Sequence, residues 1–521
     1  MNYYKSIIKA DYLQRTRSYA FLITLAISLY IAYTFVPASG ANYSTVKIGN
    51  YIGENNSAWI GYVTAIMTSV FLSLIGFFLV SGSIKKDIET EVGMIIATTQ
   101  ISNFKYLLSK MLSNFLVLLT ITGIVFVMSI LLFFIRSNES PFEITQFILP
   151  YLLSTLPAIF FVSSLAVTAE VFLGRWPVLQ YLGFFFLFNI IAANVMTGTG
   201  TETKMMIDPF GVKVVMTGME SFVQQHYDAK ATVSSVGFNF SDKINVKTFR
   251  FDGLNWPGTF ILSRLIWMGF SLTLVFISAK FFHRFNIKEK IRNKKQSKLS
   301  ENIPAGFLLH DIKLSSLPSI TTDYGVGPFI KTELLMLFRK GPKWFWLVNI
   351  GGMIALILTP LPIAHQILLP TLWFLQVSRW SDLATKEKTN RIHYFTYAAY
   401  QPVKRLLTSQ IIAGIILSVA LAFPLMIRYL IAGDLMHVFY IFTGAVFIVS
   451  FAVLLGILSG GKKLFEILFF AITYCSLNLI PFTDYFGGIN NGVSYTGAML
   501  TIITVMLAGS FALRKYEIGH L

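Results

Sequence analysis

Long apolar runs separated by short polar breaks recur from one end of this chain to the other, and a helix needs about 20 such residues to cross a bilayer. In the first part they lie at approximately 20–36, 59–80, 112–135, 146–169, 177–196 and 257–279. In the second they lie at 344–359, 365–381, 407–427, 435–458, 464–481 and 495–513. The pattern predicts an all-α polytopic membrane protein of about twelve transmembrane helices.

Shorter stretches show one apolar face instead of a continuous run. Tyr4, Ile7, Ile8 and Tyr12 share a helical face with Lys5 and Lys9 off it, which suits a helix lying in the headgroup layer, in contact with membrane lipid. The same lead returns before the seventh span, where Lys331, Glu333, Leu335 and Arg339 repeat Lys9, Asp11, Leu13 and Arg17. The chain therefore reads as two six-helix repeats, each preceded by an amphipathic elbow helix: a first half at 1–285 and a second at 329–521. Between them, 286–328 carries KEKIRNKKQSK and a Pro/Ser/Gly-containing stretch, as expected of a cytosolic linker. An outer loop at 195–256 interrupts the first half. Within it Phe238, Phe240, Ile244 and Val246 alternate around Ser241-Asp242 as a small hairpin would, in a lid, a spacer or a substrate-facing gate.

Two inner loops are long. After the second span Ile88, Val92, Ile95 and Ile96 keep helical spacing, with Lys85, Lys86, Asp87, Glu89 and Glu91 crowded among and ahead of them. After the eighth, Ile392, Phe395 and Ala399 follow Lys386, Glu387, Lys388 and Arg391. Each predicts a short amphipathic helix, resting on the membrane or docking a partner.

Composition agrees: 55% of residues are apolar and 13% charged, too little charge for an ordinary soluble enzyme. The formal charge of +17 is a topology signal, because most of the 42 Lys and Arg fall in segments that share one side when both termini are cytoplasmic. Loop 195–256 carries equal numbers of basic and acidic residues, so no nucleic acid partner is needed to explain the surplus. Pro37-Ala38-Ser39-Gly40-Ala41 resembles a signal-peptide cleavage site, but the basic lead before it is long and a retained span is the better reading. Cys475 stands alone, so no intramolecular disulfide or cysteine metal site forms.

Catalytic apparatus is not visible. Gly456-Ile-Leu-Ser-Gly-Gly461-Lys462-Lys463 has the glycine and lysine spacing of a phosphate loop, yet Lys463 stands where a magnesium-binding Ser or Thr is required, and no strand precedes it. The two lysines read better as inside anchors. The seven histidines are scattered, and no HExxH or glycine-flanked serine elbow occurs. No catalytic, cofactor or metal site is expected here. Glu466, at the start of the eleventh span, is a gating or a structural candidate, with Lys462 and Lys463 in reach as partners.

With the two elbow helices, the long second-to-third-span loops and SGGKKLFEILFFAITYCSLN before the eleventh span, the chain resembles the bacterial type 2 ATP-binding-cassette (ABC) export permeases, in the form that fuses two six-span halves. ETEVGMIIATTQISNFKYLLSK is similar to that family's coupling segment; the second copy, YQPVKRLLTSQ, departs from it and ends in Gln410. The resemblance implies a multi-pass permease of the plasma (inner) membrane that is not itself an enzyme. Two cytosolic ABC ATPase subunits would bind ATP and Mg and dock on the inner loops, through Glu89, Glu91, Val92, Tyr106, Lys110, Lys388, Arg391 and Phe395. The transported substrate is not written in the sequence. Two other classes stay open: an ion- or proton-coupled secondary transporter, against which the long inner loops and scarce intramembrane acids stand, and a membrane-embedded transferase, for which no His or Asp pair can be assembled.

Overall fold

The computed structural model describes residues 3–520 apart from 39–40, 42, 138–140, 175, 197–201, 229–230, 240–246, 283–324, 478–479, 481–482 and 490–491. Nearly all of the expected linker, and Phe240 to Val246 of the expected hairpin, lie outside the described residues. The chain divides into two compact units, Met1–Lys295 and Gln296–Leu521.

Unit 1 opens with α1 (Tyr3–Thr16) and α2 (Tyr19–Thr34), bent 71° apart where Ser18 leaves the helix and caps α2 by accepting from the Phe21 N–H at 3.2 Å. Next come strands β1 (Ser44–Ile48) and β2 (Tyr51–Gly53) and helix α3 (Ser57–Val80), which starts under an Asn56 cap. The short helices α4 (Ser83–Glu89) and α5 (Val92–Ala97) precede the long α6 (Asn103–Arg136). In α7 (Thr145–Pro150) and α8 (Leu156–Leu173) the helix runs through one π turn, Tyr151–Thr155, directly after Pro150, whose ring removes a ladder donor. Then follow α9 (Pro177–Met196), α10 (Glu202–Ile207), α11 (Val212–His226), β3 (Val233–Asn239), β4 (Lys247–Phe249) and α12 (Gly258–Phe281).

Unit 2 is described from Gly325. It begins with α13 (Gly327–Arg339) and α14 (Trp344–Leu358), bent 97° apart at Gly341, whose φ of 91° a side chain resists, and Pro342. Apolar turns α15 (Leu361–Ile363) and α16 (Leu369–Phe374) are joined by a π turn, Ala364–Leu368.

 After α17 (Val377–Trp380), α18 (Lys386–Thr389) and α19 (His393–Tyr397), a π turn at Val403–Leu407 behind Pro402 leads into α20 (Thr408–Ile431). The unit closes with α21 (Leu435–Ser459), α22 (Lys463–Leu477) and α23 (Val493–Gly519).

The two units repeat one packing scheme. In unit 1 α1 and α2 lie along α6 while α8 packs on α12; in unit 2 α13 and α14 lie along α20 while α21 packs on α23. Among the described residues seven helices are long and apolar enough to cross a membrane, or up to nine if each bent pair is one span. Twelve is not reached by length: 179–194 and 361–374 are shorter apolar helices, and α22 has only 15 residues. The chain is nearly all-α and suited to a membrane, since helices satisfy their own backbone groups in lipid. Exposed apolar side chains agree in each unit, Leu265 and Phe276 along α12 and Leu500 and Val505 along α23.

A four-stranded sheet, in the order β3-β1-β2-β4, departs from the sequence reading. β3 and β4 occupy opposite edges and do not form a hairpin with each other: β3 pairs antiparallel with β1, and β4 pairs parallel with β2. β1 is Ser-Thr-Val-Lys-Ile, a β-branched composition that favours strands in a segment too short to show a clear period. Gly53 is required where β2 ends, because a Cβ there would stand 2.2 Å from the Trp59 ring. Arg264, which falls inside the expected span 257–279, is buried in α12 and donates to the Asp208 carbonyl at 2.6 Å, so it joins that helix to the segment before α11.

Candidate functional site

The segment after α3 is two short helices and not the single helix expected. Between α4 and α5 Glu91 takes φ 63°, a left-handed conformation that stops the first helix and turns the second. The apolar face divides accordingly. Ile84 enters a core with Tyr106, Leu107, Met111, Phe160 and Val275, and Ile88 and Ile96 rest on it. Val92 and Ile95 stay outside, 43% and 69% exposed.

Buried charge holds the base of this segment. Glu170 of α8 caps α4 with both carboxylate oxygens: Oε1 accepts from the N–H groups of Gly82 at 2.5 Å and Ser83 at 2.9 Å, and Oε2 from that of Ile84 at 2.7 Å. An anion at a helix N-terminus meets unpaired N–H groups and the positive end of the dipole. Lys110 of α6 is 1% exposed, and its ammonium lies 2.7 Å from Asp11 of α1 and 2.7 Å from Asp87 of α4. Tyr106 donates to Asp87 at 2.7 Å, and Arg15 of α1 donates to Asn114 of α6 at 2.7 Å. One lysine thus ties the first helix, the loop and α6 together.

Unit 2 builds the same place with different charges. Between α18 and α19 Arg391 takes φ 58°, the counterpart of Glu91. Glu333 of α13 stands where Asp11 stands in α1, but its cation is Lys386 in the loop. Glu387 accepts from Gln410, the residue in the place of Lys110, at 2.7 Å. Burial raises the Glu387 carboxyl above its ordinary range, and nearby Lys386 offsets this only in part. At the start of the segment Asp382 is ion-paired with Lys340 and Lys462. Burial alone would raise the Asp382 carboxyl; the two lysines outweigh it and hold it below the usual range. Outside, Ile392, Tyr394 and Phe395 are 48%, 68% and 86% exposed.

The residues singled out in the sequence therefore separate into two groups. Glu91, Val92, Arg391 and Phe395 lie at the surface, whereas Tyr106 and Lys110 are buried and act on the loop from within. Lys388 turns to Glu517. The Glu89 side chain lies outside the described residues. Glu466 accepts from Ser381 at 3.3 Å and lies 3.8 Å from Lys463; Lys462, the other partner expected, reaches Asp382 instead. Sequence reasoning missed Arg15, Glu170 and Asp382. Glu170 carried a usable signal, an acid inside an apolar helix. No family model, curated protein or solved structure matches the chain.

Proposed function

We propose that this chain is the membrane-spanning permease subunit of a type 2 ABC exporter, with its two units as six-span halves and both termini in the cytoplasm. On this reading α1 and α13 are the elbow helices, and the two bent pairs, the two shorter apolar helices and α22 bring the seven long helices to twelve spans. Two separate ATPase subunits bind ATP and Mg and engage the segments 83–97 and 386–397.

The observation that carries the reading is the repeated loop. Each unit places, after its second apolar helix, a pair of short helices broken at a left-handed residue. In each, buried charge ties the base to the unit's first helix while apolar side chains stand out at the tip. A rigid base and an apolar exposed tip suit a contact through which a partner's movement reaches the spans.

The test is gentle purification of the full chain from its native membrane, followed by ATPase assay of the complex. Ile95→Ala and Phe395→Ala should lower ATP hydrolysis retained with the chain at unchanged melting temperature. Transport that needs an ion gradient and no ATP would overturn the proposal.

A further inference from the structure

Arg514, near the end of α23, is 3% exposed. Its Nη2 donates to the Ala384 carbonyl at 2.6 Å, and its Nη1 donates to the Tyr397 hydroxyl and, at 2.8 Å, to Glu517. The guanidinium carbon also stands 5.1 Å from the centre of the Tyr397 ring. Glu517 is ion-paired with Lys388 as well. The last helix of unit 2 therefore holds the loop at residues 384, 388 and 397, on both sides of the left-handed break at Arg391. Beside this grip lies a small cavity lined by Glu387, Tyr397, Leu406, Gln410 and Arg514, and the buried Oε2 of Glu387 has no hydrogen-bond partner.

The described part of unit 1 is held differently. Among the described residues α12 meets the corresponding segment through apolar contacts, with Val275, Ala279 and Phe282 in the core that receives Ile84, and the charged hold comes from Glu170 of α8. Along the rest of α23 one face packs on α21 and the remainder is exposed, with 17% of its most apolar stretch buried. A stiff helix gripped at one end carries a displacement of that end along its length.

We infer that Arg514 is a positioning residue that makes α23 move with the 384–397 segment, so that the loop of unit 2 acts on the last helix while the loop of unit 1 acts on α8. This rests on the exporter reading. The planar guanidinium suits the task because it meets a carbonyl, a hydroxyl and a carboxylate at once, which an ammonium on a flexible stem does not reproduce.

The experiment uses the full chain with its co-purified ATPase in lipid nanodiscs, in a Cys475→Ser background. Asn390→Cys reports on the loop and Leu500→Cys on α23, about 21 Å along the helix from Arg514, each carrying an environment-sensitive fluorophore. ATP, Mg and vanadate should change both signals. With Arg514→Lys the Asn390 signal should persist while the Leu500 change falls by at least about half, at unchanged melting temperature. Tyr397→Phe, which removes one hydroxyl, gives the same comparison if Arg514→Lys folds poorly. A Leu500 change equal to that of the parent in the folded variant overturns the inference. A responding Asn390 probe with a silent Leu500 probe in the parent also overturns it, and leaves the exporter reading standing. Silence of both probes in the parent removes the exporter reading and the inference together.

Discussion

Lys110 of α6 and Asp87 of α4 lie 2.7 Å apart inside unit 1, and the same ammonium serves Asp11. Removing one partner of a buried ion pair costs about 3 to 5 kcal/mol, because the charge left behind keeps its desolvation penalty. Lys110→Gln, which places in unit 1 the residue that unit 2 carries at 410, should lower stability by about that amount. Adding Asp11→Asn should recover part of the loss. Thermal unfolding in detergent checks both, and an unchanged midpoint for Lys110→Gln contradicts the pairing.

The left-handed residues Glu91 and Arg391 make an opposite prediction. A non-glycine residue in this region costs roughly 1 to 2 kcal/mol, which glycine avoids. Glu91→Gly and Arg391→Gly should therefore leave stability level or raise it by up to about 1 kcal/mol, whereas the β-branched Glu91→Val should lower it. Hydrogen exchange of the amides in 83–97 and 386–397 distinguishes these outcomes, and faster exchange in both glycine variants would contradict the backbone assignment.

Acid should move unit 2 in two directions. The Asp382 carboxyl is held low, so its stabilisation is fully present above the ordinary aspartate value, near pH 4, and is lost as pH falls through its depressed value. The Glu387 carboxyl is raised by burial, so its contribution is present below the ordinary glutamate value and is lost as pH rises through the raised one. The melting temperature should rise modestly on acidification from neutrality and fall below about pH 4. Glu387→Gln should raise it at pH 7 and remove the first effect, and Asp382→Asn should weaken the second. A Glu387→Gln protein that melts lower than the parent at pH 7 argues against this assignment.

Glu466 has a modest structural part. Its hydrogen bond from Ser381 is within the reach of an amide, and its lysine partner is 3.8 Å away. Glu466→Gln should cost no more than about 1 kcal/mol, the net worth of an ordinary hydrogen bond. Normal melting combined with lost transport would place its charge in the transport cycle.

Apolar length made the main helices legible: 59–80, 435–458 and 495–513 fall on α3, α21 and α23. The likeness of Asp11 to Glu333 was legible too, since both occur in similar local strings. Their partners were not, because the cation of Asp11 comes from α6 and that of Glu333 from the loop, and local sequence does not report which helix packs alongside. Spacing placed Ile88, Val92, Ile95 and Ile96 on one helix. The left-handed turn at Glu91 is a single backbone conformation, invisible to apolar periodicity, and it sends Ile88 and Ile96 inward and Ile95 outward.

The sheet of unit 1 also sets an order of assembly. Its inner strands, β1 and β2, precede α3, while both edge strands follow α11. A chain made from its N-terminus exposes β1 and β2 long before Val233–Asn239 and Lys247–Phe249 exist to cover them. Unpaired strand edges invite association with other chains. The sheet is thus a seam that closes only after α3 to α11 have been made, and interruption of synthesis before Phe249 leaves it open at the stage when newly made chains are most prone to aggregate.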